Sequence, residues 1–309
     1  LMIFSALTIF FTKYKKENYN FNLQSRETFI LANNWFMVFF LVTVLIGMLY
    51  PIFLDVLTNI KISVGPPFFN IVIIPLVIPL MFLMAIGPKF SWIKSQNKIF
   101  YKILFVILGA IIINLFILYF FGKYSLLSNL IFIAAIFLIL YSLLDIKKIF
   151  NKKNKFKLPR IISHLSFGLL VFFIGINYQF SLEEDFNLKV GEIKETNNYE
   201  INFEEIKIKE NKNYKAVIGN FKLTNLKSNL VQYLNPEIRI YSNPETLTYE
   251  AAIKTRVTSD LYLTMSNVSR SDYYNIKFQK KPFMIWIWIS ALMISIGGFI
   301  QLILKKNEN

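Results

Sequence analysis

Two residue types that often carry chemistry are almost missing from this chain of 309 residues: it has no Cys and a single His. Without Cys there is no disulfide scaffold, no zinc–thiolate site, no thiol nucleophile and no covalent haem attachment to this chain. One His excludes bis-His ligation or a His cluster built from these residues alone. Arg is scarce as well, five against 29 Lys, and 19 acidic residues face 34 basic ones, for a net charge of +15. Such an excess suits nucleic acid only as a continuous basic face. Here it is not one. Residues 181–282 hold 15 Lys/Arg and 14 Asp/Glu, and the other 19 Lys/Arg lie mainly in short loops between apolar blocks. No nucleic-acid partner is expected. What abounds is apolar residue, 55% of the chain with 32 Phe, at a mean hydropathy of +0.47. Unbroken apolar blocks at this density mark a multi-pass membrane protein, with the lipid bilayer as its first partner.

Blocks long enough to cross a bilayer as helix are Trp35–Leu54, Ile71–Gly87, Ile103–Phe121, Leu126–Leu144, Ile161–Phe180 and Phe283–Leu304. The opening block, Leu1–Thr12, is too short to span alone and reads as the tail of a helix whose start is missing. Loop charge then alternates. Residues 13–33 carry Lys13, Lys15, Lys16 and Arg26; residues 55–70 carry only Lys61; residues 88–102 carry four Lys; residues 122–125 carry Lys123; residues 145–160 carry seven positives. Basic loops stay in the cytoplasm. The expected topology places residues 181–282 and the loop near Gly65 outside, and the C-terminal tail inside.

From Asn187 onward the period changes from helical to alternating. Tyr199–Lys209 alternates apolar and polar residues with one slip, and 216–224, 237–241, 261–265 and 274–278 behave similarly. Short strands at this spacing indicate a small antiparallel sandwich or barrel. The expected fold class is a polytopic α-helical membrane protein, six full spans plus a truncated first one, with one mostly β outer domain. The expected divisions are 1–180 transmembrane, 181–282 β domain, and 283–309 final span and tail. Nothing in the β domain resembles a catalytic triad, and no catalytic residue is assigned.

His164 lies four residues into its apolar block. Ionisable groups inside membrane helices are functional candidates because burying them unpaired is costly, and imidazole is a common haem-iron ligand. His164, Gly168, Val171 and Gly175 share one helical face. Two readings stay open. Gly168 and Gly175 leave clearance for a flat ring beside a His164 ligand or proton relay, or they let helices pack closely while His164 reaches toward the interface. Met84, at a similar expected depth, is a conceivable second donor. Lys61–Asn70 contains Gly65-Pro66-Pro67-Phe68, expected to form a stiff extended turn. It reads either as a rigid surface for a flat apolar ligand or partner, or as a helix breaker with an aromatic belt. Ser25-Arg26-Glu27 stands where it could cap or anchor a helix. Pro75 and Pro79 either kink their shared helix or are tolerated in it.

Several of these segments, in order, resemble the second half of the cytochrome c maturation protein F (CcmF) family. They are Ser25–Asn34, Tyr50-Pro51, Lys61–Asn70, Ser163–Gly168, Glu250–Ile253 followed by Asp260-Leu261-Tyr262, and Lys281–Phe283 with Trp286 and Trp288. The resemblance runs from about Leu1 to Leu304. It departs at Ser259 and Ile285, where the family often has a basic residue. It implies the cytochrome c haem lyase of the system I pathway, in the bacterial inner membrane with residues 181–282 periplasmic. Such proteins take haem from a periplasmic haem chaperone and reduce it with quinol electrons through a resident b-type haem. They then help join it to the Cys-X-X-Cys-His thiols of apocytochrome c, presented by thioreduction and chaperone subunits. His164 matches a haem b axial ligand, and the partner ligand belongs to the family's first half. A paralogous lyase for nitrite-reductase maturation shares this architecture. A transporter would need internal repeats and paired broken helices, which the chain does not show. A haem-free scaffold is the other alternative.

Overall fold

The computed structural model describes residues 2–13, 25–92, 98–122, 125–146, 157–196, 198–268 and 271–306. Lys15, Lys16, Lys94, Lys123 and the cations from Lys147 to Lys155, on which the expected orientation leans, lie outside the described residues. Six helices among the described residues are long and apolar enough to cross a membrane. By length and composition they are the spans of a multi-pass membrane protein. The chain packs as two compact units, Leu1–Phe105 and Val106–Asn309.

In the first unit, α1 (Met2–Lys13) precedes the long α2 (Arg26–Thr58), and α3 (Pro66–Ile86) closes with a tight 3-10 turn at Gly87–Lys89. At 33 residues α2 is about 50 Å long at 1.5 Å per residue, well beyond the apolar layer. It starts nine residues before the expected Trp35 because Ser25 caps it: the Ser25 side chain accepts a hydrogen bond from the Thr28 amide at 3.3 Å. Arg26 anchors the same end, its amide donating to Ser91 O at 2.9 Å and its guanidinium lying 4.7 Å from the Trp92 ring. The stiff extended turn expected through Pro67 is corrected: α3 already begins at Pro66. Proline suits the first helical turn, where its fixed φ fits and its missing N–H would have no partner anyway. Pro75 and Pro79 sit inside a helix that continues through both.

The second unit holds most of α4 (Lys98–Phe121), then α5 (Leu126–Ile146), α6 (Leu158–Phe180), ten strands and α7 (Met284–Lys306). The strands form two antiparallel sheets. One has the order β1 (Leu182–Leu188), β10 (Tyr274–Pro282), β9 (Ser259–Asn267), β8 (Ala252–Lys254). The other has β2 (Ile193–Thr196), β3 (Tyr199–Glu210), β4 (Tyr214–Asn225), β6 (Glu237–Ser242), β7 (Glu245–Glu250), with β5 (Val231–Leu234) also on β4. Inward residues of both sheets merge in one core, including Ile201, Phe203 and Phe221 from one and Leu261, Leu263 and Phe278 from the other. The slip in the Tyr199–Lys209 alternation is a β-bulge between Phe203 and Glu205. One extra residue there restores the inward face for Ile206. β1, which pairs with β10 along its whole length, escapes the alternation reading because Glu184 occupies one of its inward positions.

Candidate functional site

α6 is the helix that carries the candidate chemistry, and its neighbours can be read off its small residues. A Cβ on Gly168 would lie 2.9 Å from Ile139 Cγ1 and 3.4 Å from Ala135 O; one on Gly175 would lie 3.1 Å from the Phe132 ring. Both glycines therefore admit α5 to close range. On the other side, a Cβ on Gly297 of α7 would clash with Ser163 Oγ and approach Pro159 O to 3.0 Å. Small residues let helix backbones approach this closely in an apolar layer. Ser163 directly precedes His164, so α7 grips α6 at the candidate ligand's own turn. Gly297 carries no signal in a periodicity reading; only the pairing of a small residue on each helix could have found it.

His164 is half-buried, seven residues into α6 and about 9 Å along its axis. Arg160, one turn earlier, pairs with the buried Asp145 of α5 at 3.7 Å. With Arg160 level with Asp145 and Gly168 level with Ala135–Ile139, the antiparallel register puts His164 level with Tyr141 and Ser142, both buried. The end of the α5–α6 pair remote from the sandwich thus gathers Tyr141, Ser142, Asp145 and Arg160 around the level of His164. Among the described residues no group of three or more His, Asp or Glu could hold a metal ion, and the one imidazole nitrogen donor in the chain is His164. For a haem, the residues offer that donor on a partly open side chain. The ring clearance expected of Gly168 and Gly175 is taken up by Ile139 and Phe132 of α5.

Gly65, Pro66, Pro67 and Phe68 stand at the start of α3, in the first unit. Phe68 and Phe69 meet edge to face, with centroids 5.2 Å apart, and both crowd Gly47 of α2. This places the segment at an α2–α3 packing contact, with Phe68 a third exposed. Met84 lies on the same helix, in the first unit.

The motif residues of the β domain collect where the sandwich meets the helices. The Phe283 amide donates to Thr258 O at 3.0 Å, Trp286 Nε1 to Val257 O at 3.0 Å, and Asn177 Nδ2 to Pro282 O at 2.7 Å. Phe173 of α6 stacks on Trp286 at 5.7 Å and packs beside Phe283 at 5.8 Å. Asp260, buried at the start of β9, accepts from the Arg256 amide at 3.4 Å and braces the 255–258 loop. The Lys281 ammonium lies 5.2 Å from the Tyr262 ring. Burial, helped by the nearby Asp260 carboxylate, pushes the Tyr262 hydroxyl above its ordinary range. Asn177, Phe173, Phe283 and Trp286 thus act as a collar fixing the sandwich to α6 and α7, and Asp260 braces the loop they hold.

Comparison with known proteins accounts for both parts. Residues 179–282 match the family described as CcmF C-terminal beta-sandwich. The cytochrome c-type biogenesis protein CcmF of Pseudomonas fluorescens is 30% identical over 295 residues, covering 92% of this chain and 44% of the relative. CcmF of Escherichia coli (strain K12) is 27% identical over 312 residues, covering 98% of this chain and 48% of the relative. A solved structure titled cytochrome c heme lyase CcmF shares the fold at a TM-score of 0.72 and 17% identity, over 91% of this chain and 46% of that one. The chain spans a little under half the length of the relatives it matches.

Proposed function

We propose, from the premise that this chain corresponds to the C-terminal half of the CcmF cytochrome c biogenesis proteins, that it serves the haem-attachment stage of cytochrome c maturation. In this reading His164 is one axial ligand of a b-type haem, held by α6 against α5 and α7. The second ligand comes from outside these residues. A haem there would supply one-electron chemistry, with quinol as the electron source. The chain's own contribution is positional. The contact of Gly297 with the Ser163 turn fixes the height of His164 between helices, and the collar holds the sandwich at a set distance from it. The sandwich, on the periplasmic side of the inner membrane, presents a surface to the haem chaperone and to apocytochrome c with its thioreduction subunits. Lyase activity on the thiols of a Cys-X-X-Cys-His segment belongs to the assembled protein, and apocytochromes of nitrite reductase remain a competing target class.

The observation that carries this reading is the matched sandwich mounted directly on the helix that bears the chain's single His. Cells relying on this protein and carrying His164→Ala should lose most covalently haem-stained c-type cytochrome while keeping the protein in the membrane. Undiminished cytochrome would count against the ligand role. The α5 contacts of Gly168 and Gly175 favour a second reading, in which α5–α7 are a rigid mount and no haem rests on His164. Under it, His164→Ala leaves cytochrome yield intact and Gly297→Val abolishes it.

A further inference from the structure

Where the sandwich meets the helices, residues of α4–α6 and of β1, β3, β9 and β10 line a cavity of about 510 Å³. That is within the range of small-molecule sites. Its membrane-side wall is Phe132, Phe172, Ile176 and Phe180, all apolar. α6 ends at Phe180 and α7 begins at Met284, so the cavity straddles the boundary between spans and strands. Its charged wall is Lys280.

Lys280 is out of place by the rule of strand alternation. Ile276, Phe278 and Lys280 point to the same face of β10, and the first two are fully buried in the core. Inward charges on edge strands protect against misplaced pairing, but β10 is bonded on both sides, Lys280 facing Leu182 of β1 and Leu261 of β9. The Tyr199 ring, 5.7 Å from the ammonium, provides partial compensation. Glu184 is its diagonal neighbour on the same face, yet no ion pair of Lys280 occurs among the described residues. A half-buried cation in the lining of a mainly apolar cavity, where the strands meet the spans, is complementary to a lipid with its tail on the apolar wall and its anionic head on the cation.

We propose that the cavity holds one acyl chain of an anionic phospholipid from the leaflet nearest the sandwich, with its phosphate on the Lys280 ammonium. The bound lipid fills the gap under the core and ties the sandwich to the membrane surface. The site draws residues from α4, α5, α6, β1, β3, β9 and β10, and so depends on the collar that holds the sandwich to the helices. It does not depend on haem at His164.

Native mass spectrometry of the intact protein, reconstituted with phosphatidylglycerol or with diacylglycerol of the same acyl chains, tests this. The unmodified protein should retain phosphatidylglycerol about fivefold better, the selectivity that one lysine gives an anionic head at a membrane surface. Lys280→Ala should bring the ratio to near one, Lys280→Arg should preserve it, and Ile176→Trp should expel both lipids by filling the cavity. Equal retention of the two lipids by the unmodified protein overturns the proposal and needs no variant, so a misfolded substitution leaves the answer intact. Displacement of phosphatidylglycerol by palmitate or by haem at equal concentration also overturns it, assigning the cavity to a different amphiphile.

Discussion

The sandwich and the helices use the same residues in opposite ways. In the sandwich Phe203, Phe221 and Phe278 are fully buried, and the Phe203 and Phe221 rings stack with centroids 4.2 Å apart. In the helices Phe105 is 77% exposed and Tyr119 is 84% exposed. The sandwich hides apolar side chains from water and is held by their packing. The helices leave theirs exposed on the surface of the bundle, and inside a bilayer apolar contact between helices gives no advantage over contact with lipid. What positions the helices is therefore small and polar: Gly168 and Gly175 against α5, Gly297 against Ser163, and Asn114 Nδ2 donating to Asn129 Oδ1 at 3.1 Å between α4 and α5.

Breaking each side in its own currency should give graded effects. Phe278→Ala empties the sandwich core and should lower the stability of the β domain by about 3–5 kcal/mol, read as a fall in the midpoint of its unfolding in the intact protein. The same change on an exposed helix ring, Phe105→Ala, should cost far less. Gly297→Val forces α7 off Ser163 and should destabilise by about 1–3 kcal/mol, as overpacking does, with a drop in detergent melting temperature. Asn114→Leu removes one interhelical hydrogen bond and should cost about 0.6–1.7 kcal/mol; a stabilised variant would show that α4 is held to α5 by shape alone.

The smallest effect is a pH dependence confined to the sandwich surface. The Lys207 ammonium, with the Asn220 amide, holds the Glu205 carboxyl below its usual range, and Lys215 does the same for Glu210. A carboxylate favoured in the folded state contributes above its unfolded pKa of about 4.3 and is lost as pH falls through the lower folded value. Sandwich stability should therefore decline below about pH 4.3, weakly because these pairs are exposed, and by less in high salt. A decline that salt leaves unchanged would assign the loss to a buried group.

The same contrast explains how far the sequence was legible. Twenty-residue apolar runs and two-residue alternation are strong periodic signals, and they place the spans and the strands β3, β4, β6, β9 and β10, while the short β5, β7 and β8 go unread. Helix ends are set by single residues, which is why Ser25 extends α2 and Pro66 starts α3 against expectation. His164 stands out as the chain's one His. Its surroundings do not, since what faces a glycine depends on which helix packs there: the stripe with Gly168 and Gly175 could equally have faced a ring, and faces Ile139 and Phe132. The collar is non-local, with Asn177 bonding Pro282 across 105 positions, and no local pattern encodes such a pairing. Lys280 reads in sequence as one Lys among 29, and becomes exceptional only when β9 and β1 flank its strand.

The most direct measurement is the visible spectrum of the protein purified from its native membrane, reduced with dithionite, before and after His164→Ala. The account predicts a b-type α-band that the substitution removes or shifts to a five-coordinate form while the sandwich unfolds at an unchanged temperature. A protein with no such band, or a band of the same position and height without the imidazole, would contradict it.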